Sequence, residues 1–129
     1  MPYPADYKYT KEHEWIKADG TSATIGITSY AQDSLGDIVF VELPHVGSEI
    51  TAGKTFGTVE SVKAVSDLFA PATGTVTEVN GDLATAPERI NKDAHSAWMI
   101  KVTLKNPGEL NGLLSAADYE KFVAAEGGH

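Results

Sequence analysis

The chain has 129 residues, 42% hydrophobic and 22% charged, which suits one compact globular domain that can bury its own core. Its formal net charge of −8 argues against nucleic acid and anionic membranes as partners, because both are held by Lys and Arg. No apolar run approaches the roughly 18 residues of a membrane span. Cysteine is absent, which excludes protein disulfides, thiolate metal sites and Cys nucleophiles, so any redox sulfur would have to arrive on an attached cofactor.

Residues 1–7 show neither a basic-then-apolar secretory pattern nor a presequence, so a bacterial cytoplasmic setting is expected, with a processed mitochondrial form as the alternative. Pro and Gly punctuate many short segments, an all-β signature. Strands are expected over 7–9, 14–17 and 22–27. A helix follows, with Ser29 and Gln32 as its capping box and Gly36 as its stop after Leu35. The next strands are expected over 38–42, 55–61, 64–69, 74–79 and 98–104. In the last of these, Trp98, Ile100, Val102 and Leu104 share one face and Met99, Lys101 and Thr103 the other. A C-terminal helix over about 115–126 is capped by Ser115, with Leu114 and Tyr119 at staple spacing. Tyr119, Phe122 and Val123 form its apolar stripe, and Gly127 ends it.

Two Gly-punctuated stretches, Val46 to Gly53 and Pro71 to Val76, echo each other on either side of the central strands. They suggest two quasi-equivalent halves meeting at a hairpin (about 55–69) with Val62 and Lys63 at its tip. In that register Ser61 faces Ala64, Glu60 faces Val65, Thr58 faces Asp67, and Phe56 faces Phe69 as a cross-strand aromatic pair. Val-Lys lacks the Asn-Gly, Asp-Gly or Gly chemistry of a two-residue turn. A local rule broken at an exposed point marks a functional position, although a solvated lysine in a longer turn is the simpler reading of the pattern alone.

The segment Gly57-Thr58-Val59-Glu60-Ser61-Val62-Lys63-Ala64-Val65-Ser66-Asp67 resembles the lipoyl-attachment segment of glycine cleavage H proteins. The resemblance extends over Tyr9 to Trp15, Ile25 to Thr28, Leu35 to Pro44, Pro87 with Ile90-Asn91, Trp98 with Ile100-Lys101, and Tyr119-Glu120-Lys121. Two departures stand out. Residues 93–97 hold no glycine where the family often has a Gly-rich segment, and Ser34 occupies a position where some members carry His.

The resemblance implies a mainly β barrel-sandwich hybrid of the lipoyl/biotinyl-carrier type, formed by residues 1–129 as one carrier domain. It implies a covalent lipoyl–lysine amide at Lys63, with Glu60, Ser61, Val62 and Ala64 as the turn recognised by lipoylating enzymes. For Ser61 and Ala64 the alternative is small residues at a tight turn. The implied role is a shuttle, not an enzyme: lipoyl-Lys63 would move the aminomethyl group of glycine from glycine decarboxylase to aminomethyltransferase, and dihydrolipoamide dehydrogenase would reoxidise the arm. Glu14 and Asp67 are the implied arm-protecting carboxylates; the alternatives are a solvated carboxylate at a strand edge and a polar strand face.

Other chemistry finds little support. Gly47 to Thr55 imitates a phosphate loop, but its first Gly is one position too early and it leads into a strand, not a helix. The four histidines show no His-Glu-x-x-His spacing and imply no metal site. Biotin carriers present Met-Lys-Met, and 2-oxoacid dehydrogenase lipoyl domains present Asp-Lys-Ala. The remaining rivals are another lipoyl carrier domain and a lipoate-relay or protein-binding module of H-like fold.

Overall fold

The structure is a computed structural model and describes residues 3–125. The expected helix stop at Gly127 and the last residue of the expected 115–126 helix lie outside the described residues.

Nine strands form two sheets among the described residues. These are β1 (Lys8–Tyr9), β2 (Glu14–Asp19), β3 (Ser22–Ile27), β4 (Ile38–Glu42), β5 (Glu49–Ile50), β6 (Thr55–Ser61), β7 (Val65–Phe69), β8 (Gly74–Val79) and β9 (Ile100–Leu104). One sheet runs β1-β2-β3-β9-β8-β5 and the other β4-β6-β7, with every pairing antiparallel. Their inner faces supply the main core: Ile16, Ile25, Val76, Ile100 and Val102 from the larger sheet, Val41, Val59 and Leu68 from the smaller. The helices are α1 (Ser29–Leu35), α2 (Asp82–Thr85), α3 (Arg89–Lys92) and α4 (Ala116–Ala125). Leu83 of α2 and Ile90 of α3 are fully buried and close that core. The two-sheet arrangement with short helices and a C-terminal helix is the expected barrel-sandwich type.

The echoed stretches form one continuous two-stranded ribbon. Glu49 pairs with Thr75 in the larger sheet, Gly53 N–H donates to Ala70 O at 2.9 Å, and Thr55 pairs with Phe69 in the smaller sheet. The ribbon passes from one sheet to the other and ends at Val62-Lys63. The register slips by one at Phe56, a bulge that puts two residues of β6 against one of β7. Phe56 therefore does not face Phe69, contrary to the expected aromatic pair; Thr55 does, and Phe56 turns into the core at 8% exposure. Beyond the bulge, Thr58 faces Asp67 and Glu60 faces Val65, as expected. Gly57 follows because a Cβ there would sit 2.4 Å from Glu42 O of β4.

Local expectations differ further at the α1 cap, at the start of the last strand and in four short elements. The cap of α1 is Thr28, in extended backbone with ψ 165°, whose Oγ1 accepts from Ala31 N–H at 3.2 Å; Ser29 already lies inside the helix. Gly36 ends α1 at φ 78°, as its position predicts. The last core strand begins at Ile100, so Met99 is buried and Trp98 only half-buried, the reverse of strict alternation. The strand β5, the helices α2 and α3 and the 3₁₀ turn Pro107–Gly112 carry too little periodicity to be read from sequence.

The second core is aromatic. Tyr9 stacks on Tyr119 of α4 at 4.8 Å between ring centroids, and Trp15 packs beside Tyr7 at 4.6 Å. Tyr119 Oη pairs with Thr28 Oγ1 at 2.8 Å and His13 Nδ1 at 2.7 Å, which ties α4 to the N-cap of α1. Ser115 caps α4 as expected, its Oγ accepting from Asp118 N–H at 3.2 Å. Gly26 lets the Trp15 indole lie across the sheet, because a Cβ there would sit 2.6 Å from the ring. The glycine-free segment 93–97 is held by its neighbours: Trp15 Nε1 donates to Ala94 O at 3.1 Å, and Tyr7 Oη to His95 O at 2.8 Å.

Candidate functional site

Lys63 stands at the free end of the ribbon and is exposed. Outside glycine, only His13 has positive φ among the described residues, so neither Val62 nor Lys63 adopts the left-handed backbone of the usual two-residue turns. Ser61 supplies what the turn lacks. Its N–H donates to Ala64 O at 2.8 Å, and its Oγ accepts from Lys63 N–H and Ala64 N–H, both at 3.1 Å. A side-chain oxygen thus does the work of a backbone carbonyl. Ser61 is more than a small residue fitted into a tight turn.

A second element braces the tip. Val62 N–H donates to Asp37 O at 3.0 Å, and Asp37 sits between Gly36 and Ile38. The Asn91 carboxamide spans that same stretch: its Nδ2 donates to Gly36 O and its Oδ1 accepts from Ile38 N–H, each at 2.8 Å. The Lys63 stem lies over Gly36, where a Cβ would come within 3.5 Å of Lys63 Cε. Asn91 was legible only as part of a resemblance; its positioning role depends on a contact between residues 53 apart in sequence.

Glu14 is not a solvated strand-edge carboxylate. It is 2% exposed. Strand alternation explains this: Trp15 turns into the aromatic cluster, so Glu14 and Ile16 share the opposite face. Thr10 Oγ1 donates to Glu14 Oε1 at 2.6 Å and Phe69 N–H to Oε2 at 3.1 Å. Burial nevertheless pushes its pKa up to about 7, against the lowering effect of those two hydrogen bonds. Glu14 lines an open cavity of about 340 Å³ together with Glu12, Phe69, Pro71 and Leu113.

Asp67 is exposed on β7, on the same side as Phe69 and Val65. It stands between the tip and the Glu14 cavity, along a run from Ala64 to Phe69 that spans about 17 Å at strand rise. Glu60 lies on that outer face as well, in one row with Phe40 and Val65, while Val62 at the tip is 68% exposed. Ser34, the other departure, is exposed on α1.

A rigid two-sheet β scaffold that offers one lysine at the apex of a braced hairpin defines a swinging-arm carrier domain. The profile of the family described as glycine cleavage H-protein matches residues 7–126. The chain is similar to the glycine cleavage system H protein of Koribacter versatilis, 72% identical over 129 residues and the full length of both chains. It is 63% identical to that of Acidobacterium capsulatum, again over the full length of both. A crystal structure of a glycine cleavage system H protein from Mycobacterium marinum superposes with a TM-score of 0.86 at 40% identity, covering 98% of this chain and 100% of that one. The chain belongs to the glycine cleavage H-protein family, whose part in the glycine cleavage system is to carry a lipoyl group and not to catalyse a step itself. No described helix is long and apolar enough to cross a membrane.

Proposed function

We propose that Lys63 is the attachment point and carries the lipoyl group as an amide on its ε-nitrogen. The observation that carries this reading is the exposed amine on a tip fixed by Ser61, Asp37 and Asn91. The site fits such a group: the amine is open to solvent, and the outer face of β7 leads from it to a cavity that ends at a buried carboxyl. The neutral Lys63 Nζ attacks the carbonyl of an activated lipoyl ester. The C–N bond forms, the bond to the leaving group breaks, and the nitrogen loses one proton. Ser61 and Val62 hold the tip still during this step, so little ordering remains to be done on docking. Held on Lys63, the lipoyl group would supply a cyclic disulfide for aminomethyl transfer and redox chemistry with glycine decarboxylase, aminomethyltransferase and dihydrolipoamide dehydrogenase.

Glu14 and Asp67 then serve the far end of the arm. A cationic ammonium entering the cavity favours the ionised form of Glu14, and the low local dielectric strengthens the attraction. Asp67 lies on the way there. Tethering delivers one cofactor to several partners at a high effective concentration.

The experiment is reconstitution. The lipoylated chain, combined with glycine decarboxylase, aminomethyltransferase, dihydrolipoamide dehydrogenase and tetrahydrofolate, is expected to support glycine-dependent reduction of NAD, and the Lys63→Arg variant is not. A fully lipoylated chain that gave no turnover would leave the lipoate-relay reading in its place.

A further inference from the structure

Among the described residues, five large apolar side chains are prominently exposed, and four of them, Val39, Phe40, Val62 and Val65, cluster at the tip and outer face of the small sheet. Phe40, Glu60 and Val65 form one cross-strand row, with Phe40 at 49% and Val65 at 65% exposure. Val39 is pushed outward by the bulge in β4 between Ile38 and Phe40. The next row outward from the tip is Glu42, Thr58 and Asp67, in which Thr58 Oγ1 lies 3.4 Å from Glu42 Oε1. The three strands carry Glu42, Glu60 and Asp67 and no Lys or Arg. The face beside the lysine thus carries apolar side chains on either side of Glu60, with Glu42 and Asp67 in the next row. None of the described residues covers it, and an exposed apolar cluster of this kind marks an interaction surface.

We propose that this face is the docking surface for the enzyme that acylates Lys63, a partner that presents apolar side chains interspersed with Lys or Arg. The proposal rests on the attachment reading above. An enzyme that forms a bond to Nζ must bring its own reacting atoms within bonding distance of the tip, so it necessarily covers the residues around it. Partners that use the end of a long arm can stand further off. Glu42, Glu60 and Asp67 select cationic groups on the partner, and Phe40 and Val65, flanking Glu60, provide the apolar anchors that interfaces of this kind depend on.

The test uses the unmodified full-length chain with a lipoate–protein ligase, lipoate and ATP, following intact mass and the Lys63 peptide. Phe40→Thr with Val65→Thr keeps strand propensity and removes the apolar row; if the pair lowers the unfolding midpoint, Val65→Thr alone is read instead. The expected result is a fall in kcat/KM of about tenfold or more, mainly in KM, which corresponds to about 1.4 kcal/mol of binding. Acetylation of Lys63 by acetic anhydride should be unchanged, because the amine itself is untouched. For the native chain, kcat/KM should also fall as salt rises. Unchanged ligase kinetics in the variant would overturn the proposal. So would loss of anhydride reactivity alongside the ligase defect, which would mean a disturbed tip, or a native dimer by sedimentation that the variant abolishes, which would make a second copy the occupant. Failure of the native chain to be acylated at Lys63 would instead remove the attachment reading on which the proposal stands.

Discussion

Replacing Glu14 with Gln isolates the cost of keeping a carboxyl inside the fold. The carboxyl is 2% exposed, and burial moves its titration from 4.5 to about 7. Below pH 4.5 the group is protonated in folded and unfolded chains alike and contributes no difference. Between 4.5 and about 7 the folded chain retains a proton that the unfolded chain has released, so stability falls as pH rises through this window. Above it the full cost applies, about 3 kcal/mol at 1.36 kcal/mol per tenfold change. Gln keeps the shape and both contacts: its Oε1 can accept from Phe69 N–H and its Nε2 can donate to Thr10 Oγ1. Urea unfolding from pH 4.5 to 8.5 should show the Gln variant more stable by up to about 3 kcal/mol at pH 8, with a thermal midpoint higher by ~10 °C. The two proteins should converge near pH 4.5. A native stability flat in pH, with the Gln variant weaker at pH 8, would mean that the hydrogen bonds from Thr10 and Phe69 outweigh desolvation.

Other substitutions probe the tip and the arm. Ser61→Ala removes the oxygen that receives Lys63 N–H and Ala64 N–H, and should cost about 1 kcal/mol and slow acylation of Lys63 by ligase; unaltered kinetics would deny the turn its role. Asn91→Ala leaves Gly36 O and Ile38 N–H without their partner, and should cost about 2 kcal/mol and speed hydrogen exchange at Val62, whose N–H rests on Asp37 O. Gly57→Ala should push β4 off β6 and cost about 2–3 kcal/mol by denaturant unfolding, since its Cβ would meet Glu42 O. In the loaded protein, Glu14→Gln and Asp67→Asn should shorten the lifetime of the aminomethylated arm, followed by mass; an unchanged lifetime would remove both carboxylates from that role.

The strands and the hairpin were readable because alternation and Gly punctuation mark them locally. Thr58 facing Asp67 and Glu60 facing Val65 follow from the tip alone. The Phe56 bulge was not readable, because it arises where the ribbon crosses between two sheets, a tertiary event with no local mark. Thr28 displaced Ser29 as the cap because either residue suits the position, and the bond from its hydroxyl to Tyr119 of α4 favours Thr28. At the site, Lys63 stood out through its segment, while Ser61's hydrogen bonds were implicit in its place two residues before the lysine. The burial of Glu14 was also implicit, in the alternation with Trp15, but it became decidable only once α4 covered the Trp15 face. Asn91 required the fold.

The central claim is that Lys63 alone receives the arm. Peptide mapping of the chain after complete lipoylation tests it most directly. The acyl group is expected on the Lys63 peptide only, with an unmodified mass for Lys63→Arg under the same conditions. Acylation of another lysine, or of the Arg variant, would contradict it.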